Sequence, residues 1–174
     1  MHRVVVVGTT GSGKTTLAAR LAQRLNIPAV DVDSLHWKPN WQESTIDELR
    51  ARLSEVVSAD CWIISGNFNK TIDLTWAKAD TLVWLDFALP VIFWRLLRRT
   101  IQRIVTKEDL WGTGNRESWR KQFFSRDSLF IWMLKSRRRQ RREYPCRLQQ
   151  PQYQHLNVIH LRTPRQAERW LNSV

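Results

Sequence analysis

Gly8, Gly13, Lys14 and Thr15 stand at the spacing G-x-x-x-x-G-K-T, directly after the apolar run VVVV at 4–7. Glycine lets a backbone turn where a Cβ would clash, and it lets the chain come close to a ligand. Consecutive N–H groups in such a loop, with a helix starting behind them, point at an anion. Gly8, Thr9, Thr10, Gly11, Ser12, Gly13, Lys14, Thr15 and Thr16 are therefore the expected cradle for a nucleotide's phosphates. Lys14 is placed to reach the β- and γ-phosphates, and the Thr15 hydroxyl to face Mg²⁺ bridging the same oxygens. ATP and Mg²⁺ are the expected cofactors.

Asp31 and Asp33 flank Val32 at the next polar signal, DVDS. Residues 29–33 read as a short strand. Alternate residues on a strand share a face, so both carboxylates would point the same way. Asp31 is expected to hold the metal, and Asp33 to accept the proton of an acceptor hydroxyl as general base. Either could instead cap the segment that follows. The next stretch, LHWKPNW, supplies His36, Trp37 and Trp41. Such rings can stack on a planar or apolar acceptor, or they can cover the core.

The elements that must position these residues alternate. Residues 4–7 read as a strand buried on both faces, because a β-branched run shows no polar alternation. Leu17, Ala18, Leu21, Ala22 and Leu25 share one face of a helix over 15–25, which Asn26 and Pro28 stop. Residues 34–43 read as a loop or broken helix. A helix over 45–58 turns Ile46, Leu49, Leu53, Val56 and Val57 inward. CWIIS is a third strand with GNFNK as its exit loop, and TLVWLD at 81–86 is a fourth. A helix starts near Pro90 and runs past residue 100. Residues 107–118 read as a loop, 119–142 as helix with a break near Ser125, 157–162 as a fifth strand, and Pro164 opens a last helix. Strands alternating with helices imply a parallel, doubly wound α/β sheet, with ligands beyond the carboxyl ends of its strands.

The chain of 174 residues fits one domain with a small inserted segment. Its net charge is +12, and the excess lies between residues 95 and 147, where sixteen Lys/Arg face five Asp/Glu. Such a block suits polyanions, with SRRRQRR at 136–142 as its densest run. Ten tryptophans predict large apolar surfaces in the core or a pocket. The two cysteines do not make a disulfide framework. Cys61 reads as a buried core thiol, and Cys146 follows a turn-like YP. The opening MHRVVVVG is too short in its apolar run for a signal peptide, and no stretch approaches a membrane span, so the expected location is cytoplasmic.

The order GxxxxGKT, DxDxLHW, GN after the third strand and LD after the fourth resembles the small P-loop kinases related to adenylate kinase. DxDxLH is also similar to shikimate and gluconate kinases. The phrases LHWKPNW, GNF and GNRESW most resemble bacterial adenylate-kinase-related proteins of the topology-modulation type. The resemblance implies a P-loop NTPase fold, three-layer α/β/α, with a five-stranded parallel sheet in the order 2-3-1-4-5. It also implies a small helical, arginine-rich lid at about 104–125. Asp86 is followed by Arg95 and Arg99 at the spacing of two ATP-contacting arginines in adenylate kinases. By that resemblance Arg95 lies near the adenine and Arg99 reaches the phosphates, with Arg98 and Arg103 as neighbouring alternatives. Arg116, in GTGNRES, is the candidate mobile arginine that offsets the transferring charge.

The chain departs from adenylate kinases after the third strand. It has GNFNK where they carry a phenylalanine-proline-arginine sequence that grips AMP, with only Lys70 near. Asn67 and Phe68 are then expected to meet a different acceptor. Arg162, Thr163 and Pro164 fall where relatives frame the adenine. The expected activity is transfer of the γ-phosphate of ATP to an unidentified small-molecule acceptor, with nucleotide-like compounds among the candidates and Lys14, Asp33, Arg99 and Arg116 as catalytic residues. The alternative is a nucleotide-dependent, nucleic-acid-associated protein, and a mechanochemical ATPase ranks last. No membrane partner is expected.

Overall fold

In this computed structural model, residues 1–66, 68–119 and 128–174 are described. Strands β1 (Arg3–Gly8), β2 (Ala29–Asp31), β3 (Trp62–Ser65), β4 (Thr81–Leu85) and β5 (Asn157–Leu161) form one sheet of five. Every pairing is parallel, and the order is β2-β3-β1-β4-β5, as the resemblance implied. The central strand β1 pairs Val5 with both Ile64 and Leu82.

Alternation along β1 divides the core. Val4 and Val6 pack with Leu17 and Leu21 of α1 (Lys14–Leu25), Ile92 and Leu96 of α5 (Leu89–Thr106), and Leu171 of α7 (Pro164–Ser173). Val5 and Val7 pack on the other face with Val32 of α2 (Val32–His36), Leu49 and Leu53 of α3 (Ile46–Val56), and Ile72 and Trp76 of α4 (Ile72–Lys78). Two-sided burial is why this strand is a continuous valine run. The long helix α6 (Leu129–Leu148) serves both faces, giving Met133 to the first cluster and Tyr144 to the second. Trp62, Trp76 and Trp84 are core residues, and the last two meet Tyr144 edge-on at 5.1 and 5.3 Å.

Several elements differ from the sequence reading. β2 ends at Asp31 and α2 begins at Val32, so Asp33 lies in a first helical turn and not on a strand. The cause is local: the Asp31 carboxylate accepts the Asp33 N–H and caps the helix. Residues 37–43 form a two-residue antiparallel ladder, Trp37–Lys38 against Gln42–Glu43. Helix α4 is seven residues long, too short for its apolar period to stand out in the sequence. Helix α6 runs past residue 142, through Pro145 to Leu148, although proline removes one helical hydrogen bond. Cys146 therefore sits exposed on a helix rather than after a turn. Cys61 is half-buried, its Sγ 3.5 Å from His2 Nδ1. Within the expected loop at 107–118, residues 110–115 form a turn closed by a bridge between Leu110 and Asn115. The expected break near Ser125 and the end of the expected lid lie outside the described residues. Among the described residues no helix is long and apolar enough to cross a membrane.

Candidate functional site

The loop between β1 and α1 is shaped by its glycines. Gly13 is the N-cap of α1 at φ 93°, with no side chain closing the helix end. The first N–H groups of α1 are thus open to an anion. Gly11 at φ 79° lies so close to α5 that a Cβ would sit 2.9 Å from Leu96 Cβ and 3.0 Å from the Ile92 carbonyl oxygen. Ser12 Oγ is buried and has no partner among the described residues. Lys14 curls back over the loop, donating from Nζ to the Thr9 carbonyl at 3.2 Å. Burial pushes the Lys14 ammonium below its ordinary value, against the opposing pull of Asp33 and Asp31.

Thr9 turns away from this cradle. Its hydroxyl donates to the Met133 carbonyl at 3.1 Å and meets the Ser136 hydroxyl, which pins the loop to α6. Thr10 is half-buried and Thr16 exposed on α1. The Thr15 hydroxyl donates to Asp31 Oδ2 at 2.9 Å, while Asp31 Oδ1 accepts the Asp33 N–H at 3.0 Å. A hydroxyl and a carboxylate side by side beside a phosphate cradle are hard oxygen donors, a set that fits Mg²⁺.

Arg95 and Arg99 lie one turn apart on α5. Arg95 donates to the Ser12 carbonyl at 3.2 Å, and its guanidinium lies 5.3 Å from the centre of the Phe87 ring. It braces the loop from behind. Arg99 is half-buried with Nε lacking a partner among the described residues. Burial and then Arg103 push its guanidinium below its ordinary value, against Glu117, Asp33 and Asp31. Asp33 answers from the other side: burial and then Asp31 raise its carboxyl, against Lys14, Arg99 and His36. Lys14, Arg99, Asp31 and Asp33 therefore share one electrostatic neighbourhood.

His36 is buried, with Nε2 3.8 Å from Glu43 and Nδ1 unpartnered among the described residues. Rings line up from it. Phe68 stands 4.6 Å and Trp37 5.2 Å from His36, Trp41 follows 5.5 Å from Trp37, and Trp111 lies 6.3 Å from Trp41. Asn67, the other expected acceptor contact, lies outside the described residues.

Arg116 is exposed, while its neighbours Asn115 and Glu117 are buried at 2% and 7%. Arg116, between two anchored residues, has the outer position. Glu117 accepts from Arg103 at 3.3 Å, a pairing that no sequence spacing announced. Asp86, at the exit of β4, is buried and engaged by Arg141 Nε at 2.7 Å and His160 Nε2 at 3.3 Å. SRRRQRR is split as well. Arg137 donates to the Phe87 carbonyl, Arg141 binds Asp86, Ser136 and Gln140 are buried, and Arg138 and Arg142 face outward. At the start of α7, Thr163 and Gln166 form a capping box and Arg162 is exposed.

A family model described as an AAA domain matches residues 4–110. No curated protein matches the chain in sequence. Among solved structures it is similar to a shikimate kinase from Bacteroides thetaiotaomicron, with a TM-score of 0.57 and 18% identity over 99% of this chain and 95% of that one. It is also similar to a gluconokinase from Sinorhizobium meliloti 1021, at 0.52 and 18% over 99% and 92%. A shikimate kinase from Acinetobacter baumannii, solved with shikimate, gives 0.55 and 12% over 99% and 90%. At these identities the likeness shows a shared fold.

Proposed function

The chain belongs to the AAA domain family, whose model spans more than half of it, and from that premise we propose that it is an ATP-dependent phosphotransferase acting on a small molecule. The observation that carries this reading is that Asp31 joins Thr15 to the Asp33 backbone beside the glycine loop that Lys14 covers, with Asp33 and Arg99 in the same electrostatic neighbourhood. A device that only held a nucleotide would have no use for a second, half-buried carboxylate in the neighbourhood of those cations. The solved structures of similar fold carry the names of kinases of small hydroxyl compounds, which supports the same class of reaction.

The loop N–H groups and Lys14 would hold the triphosphate. Thr15 and Asp31 would hold Mg²⁺, which supplies charge neutralisation across the phosphate oxygens when bound. Asp33 takes the proton of the acceptor hydroxyl as its oxygen bonds to the γ-phosphorus. The bond from that phosphorus to the bridging oxygen of ADP breaks, and Arg99 offsets the charge that gathers on the transferring group. His36, Trp37 and Phe68 form the acceptor wall, and their rings suit a planar or apolar body. The finer resemblance to adenylate-kinase-related proteins makes a nucleotide-like acceptor the first to try. In this reading the chain is one domain, works in the cytoplasm, and uses 107–118 as part of its lid.

The test is ADP release from Mg-ATP across a panel of nucleoside monophosphates, nucleosides, sugars and ring alcohols. One acceptor should raise ADP release well above the rate with water alone, and Asp33→Asn should abolish that rise. No acceptor-dependent release from any member, with basal hydrolysis unchanged in Asp33→Asn, would sink the proposal.

A further inference from the structure

The loop at 107–118 faces two ways. The Asn115 amide Oδ1 accepts the Trp41 N–H at 2.8 Å, and Nδ2 donates to the Lys38 carbonyl at 2.9 Å. One buried side chain thus spans the turn Pro39–Trp41 that joins the two short strands, and Trp111 adds its ring edge to Trp41. Two residues on, Glu117 turns to α5. Its Oε1 accepts from Arg103 at 3.3 Å, and its other oxygen is buried without a partner among the described residues. The charge of Glu117 also bears on Arg99.

Arg99 and Arg103 are four residues apart on one helix face, so they repel each other. Glu117 binds Arg103 directly, and its negative charge offsets the repulsion that Arg103 exerts on Arg99. Asn115 closes the turn 110–115 through its bridge to Leu110, and Glu117 follows two residues beyond that closure. With only Arg116 between them, the backbone position that Asn115 takes limits where Glu117 can stand. The Asn115 side chain bonds Trp41 and Lys38 rather than Lys14, Asp33 or Arg99, so its effect on the phosphate site travels along the chain to Glu117.

We propose that Asn115 is a positioning residue: by clasping the segment that carries Trp37 and Trp41 it places Glu117, and through Glu117 it aims Arg99 at the γ-phosphate. The acceptor wall and the transfer arginine are then set as one unit. This rests on the phosphotransferase reading above.

The experiment is calorimetric titration of the full chain with Mg-ADP and with Mg-β,γ-imido-ATP. Asn115→Ala should weaken the triphosphate analogue about fivefold while ADP changes less than about twofold. In an Arg99→Ala background the same substitution should have almost no further effect, since coupled residues are non-additive. Trp111→Leu loosens the clasp from its other side and should give a smaller loss of the same selectivity, which keeps the test open if Asn115→Ala folds poorly. Equal losses for both nucleotides, or a loss undiminished without Arg99, would overturn the positioning role alone. A wild-type chain that binds neither nucleotide would overturn the phosphotransferase reading as well.

Discussion

Asp33 carries opposite demands at the scale of a single residue. Its carboxyl is raised by burial and by Asp31, so the folded chain holds that proton more tightly than the unfolded chain does. Stability linked to this group is therefore greatest at low pH and falls as pH rises from the ordinary carboxylate range through the raised value. Asp33→Asn removes the buried charge. It should melt at higher temperature than wild type at neutral pH, and the difference should vanish below the carboxylate range, as followed by circular dichroism. The same substitution should lower acceptor-dependent turnover by about 10²–10⁴-fold, the worth of a positioned base. The acid limb of the wild-type pH–rate profile should lie above the ordinary carboxylate range. Arg99→Ala should cost about 10²–10³-fold in kcat, as the loss of one preorganised charge donor does. Rates of ADP release at saturating ATP measure it.

At the scale of elements, the glycine loop works because α5 lies against it. Gly11 touches Leu96 and Ile92, and Arg95 of the same helix holds the Ser12 carbonyl. A methyl at Gly11 would meet backbone at 3.0 Å and a left-handed φ together. Gly11→Ala should therefore cost about 1–3 kcal/mol in denaturant unfolding, and it should weaken ATP binding by pushing the loop off α5. The strand exits were legible from apolar runs and punctuation. The turn from β2 into α2 was not, because DVDS serves equally as strand end and helix cap until the Thr15 hydroxyl and the Asp33 N–H claim the two oxygens of Asp31. Helix α4 is not legible in the sequence because seven residues hold barely two turns.

Across the whole molecule, α6 ties the layers together. It reaches both core clusters, receives the Thr9 hydroxyl and binds Asp86 through Arg141. Met133→Ala should remove buried volume beneath the loop and cost about 2–5 kcal/mol by denaturant titration, with ATP affinity falling as the Thr9 anchor loosens. The arginine run that dominates the charge of the sequence belongs in part to this scaffold. By itself the sequence determined the sheet, its order by resemblance, and the phosphate loop, because local spacing dictates strand, turn and helix start with no help from distant residues. It also marked Asp31, Asp33, His36, Trp37, Phe68, Arg95 and Arg99 as chemical candidates. Only the tertiary structure decided which of those charges face one another. It alone turned Arg116 outward and Asn115 and Glu117 inward, and it gave Asp86 to α6 and β5. Those outcomes depend on which groups, far apart in the chain, are buried against each other, and burial is a property of the assembled fold.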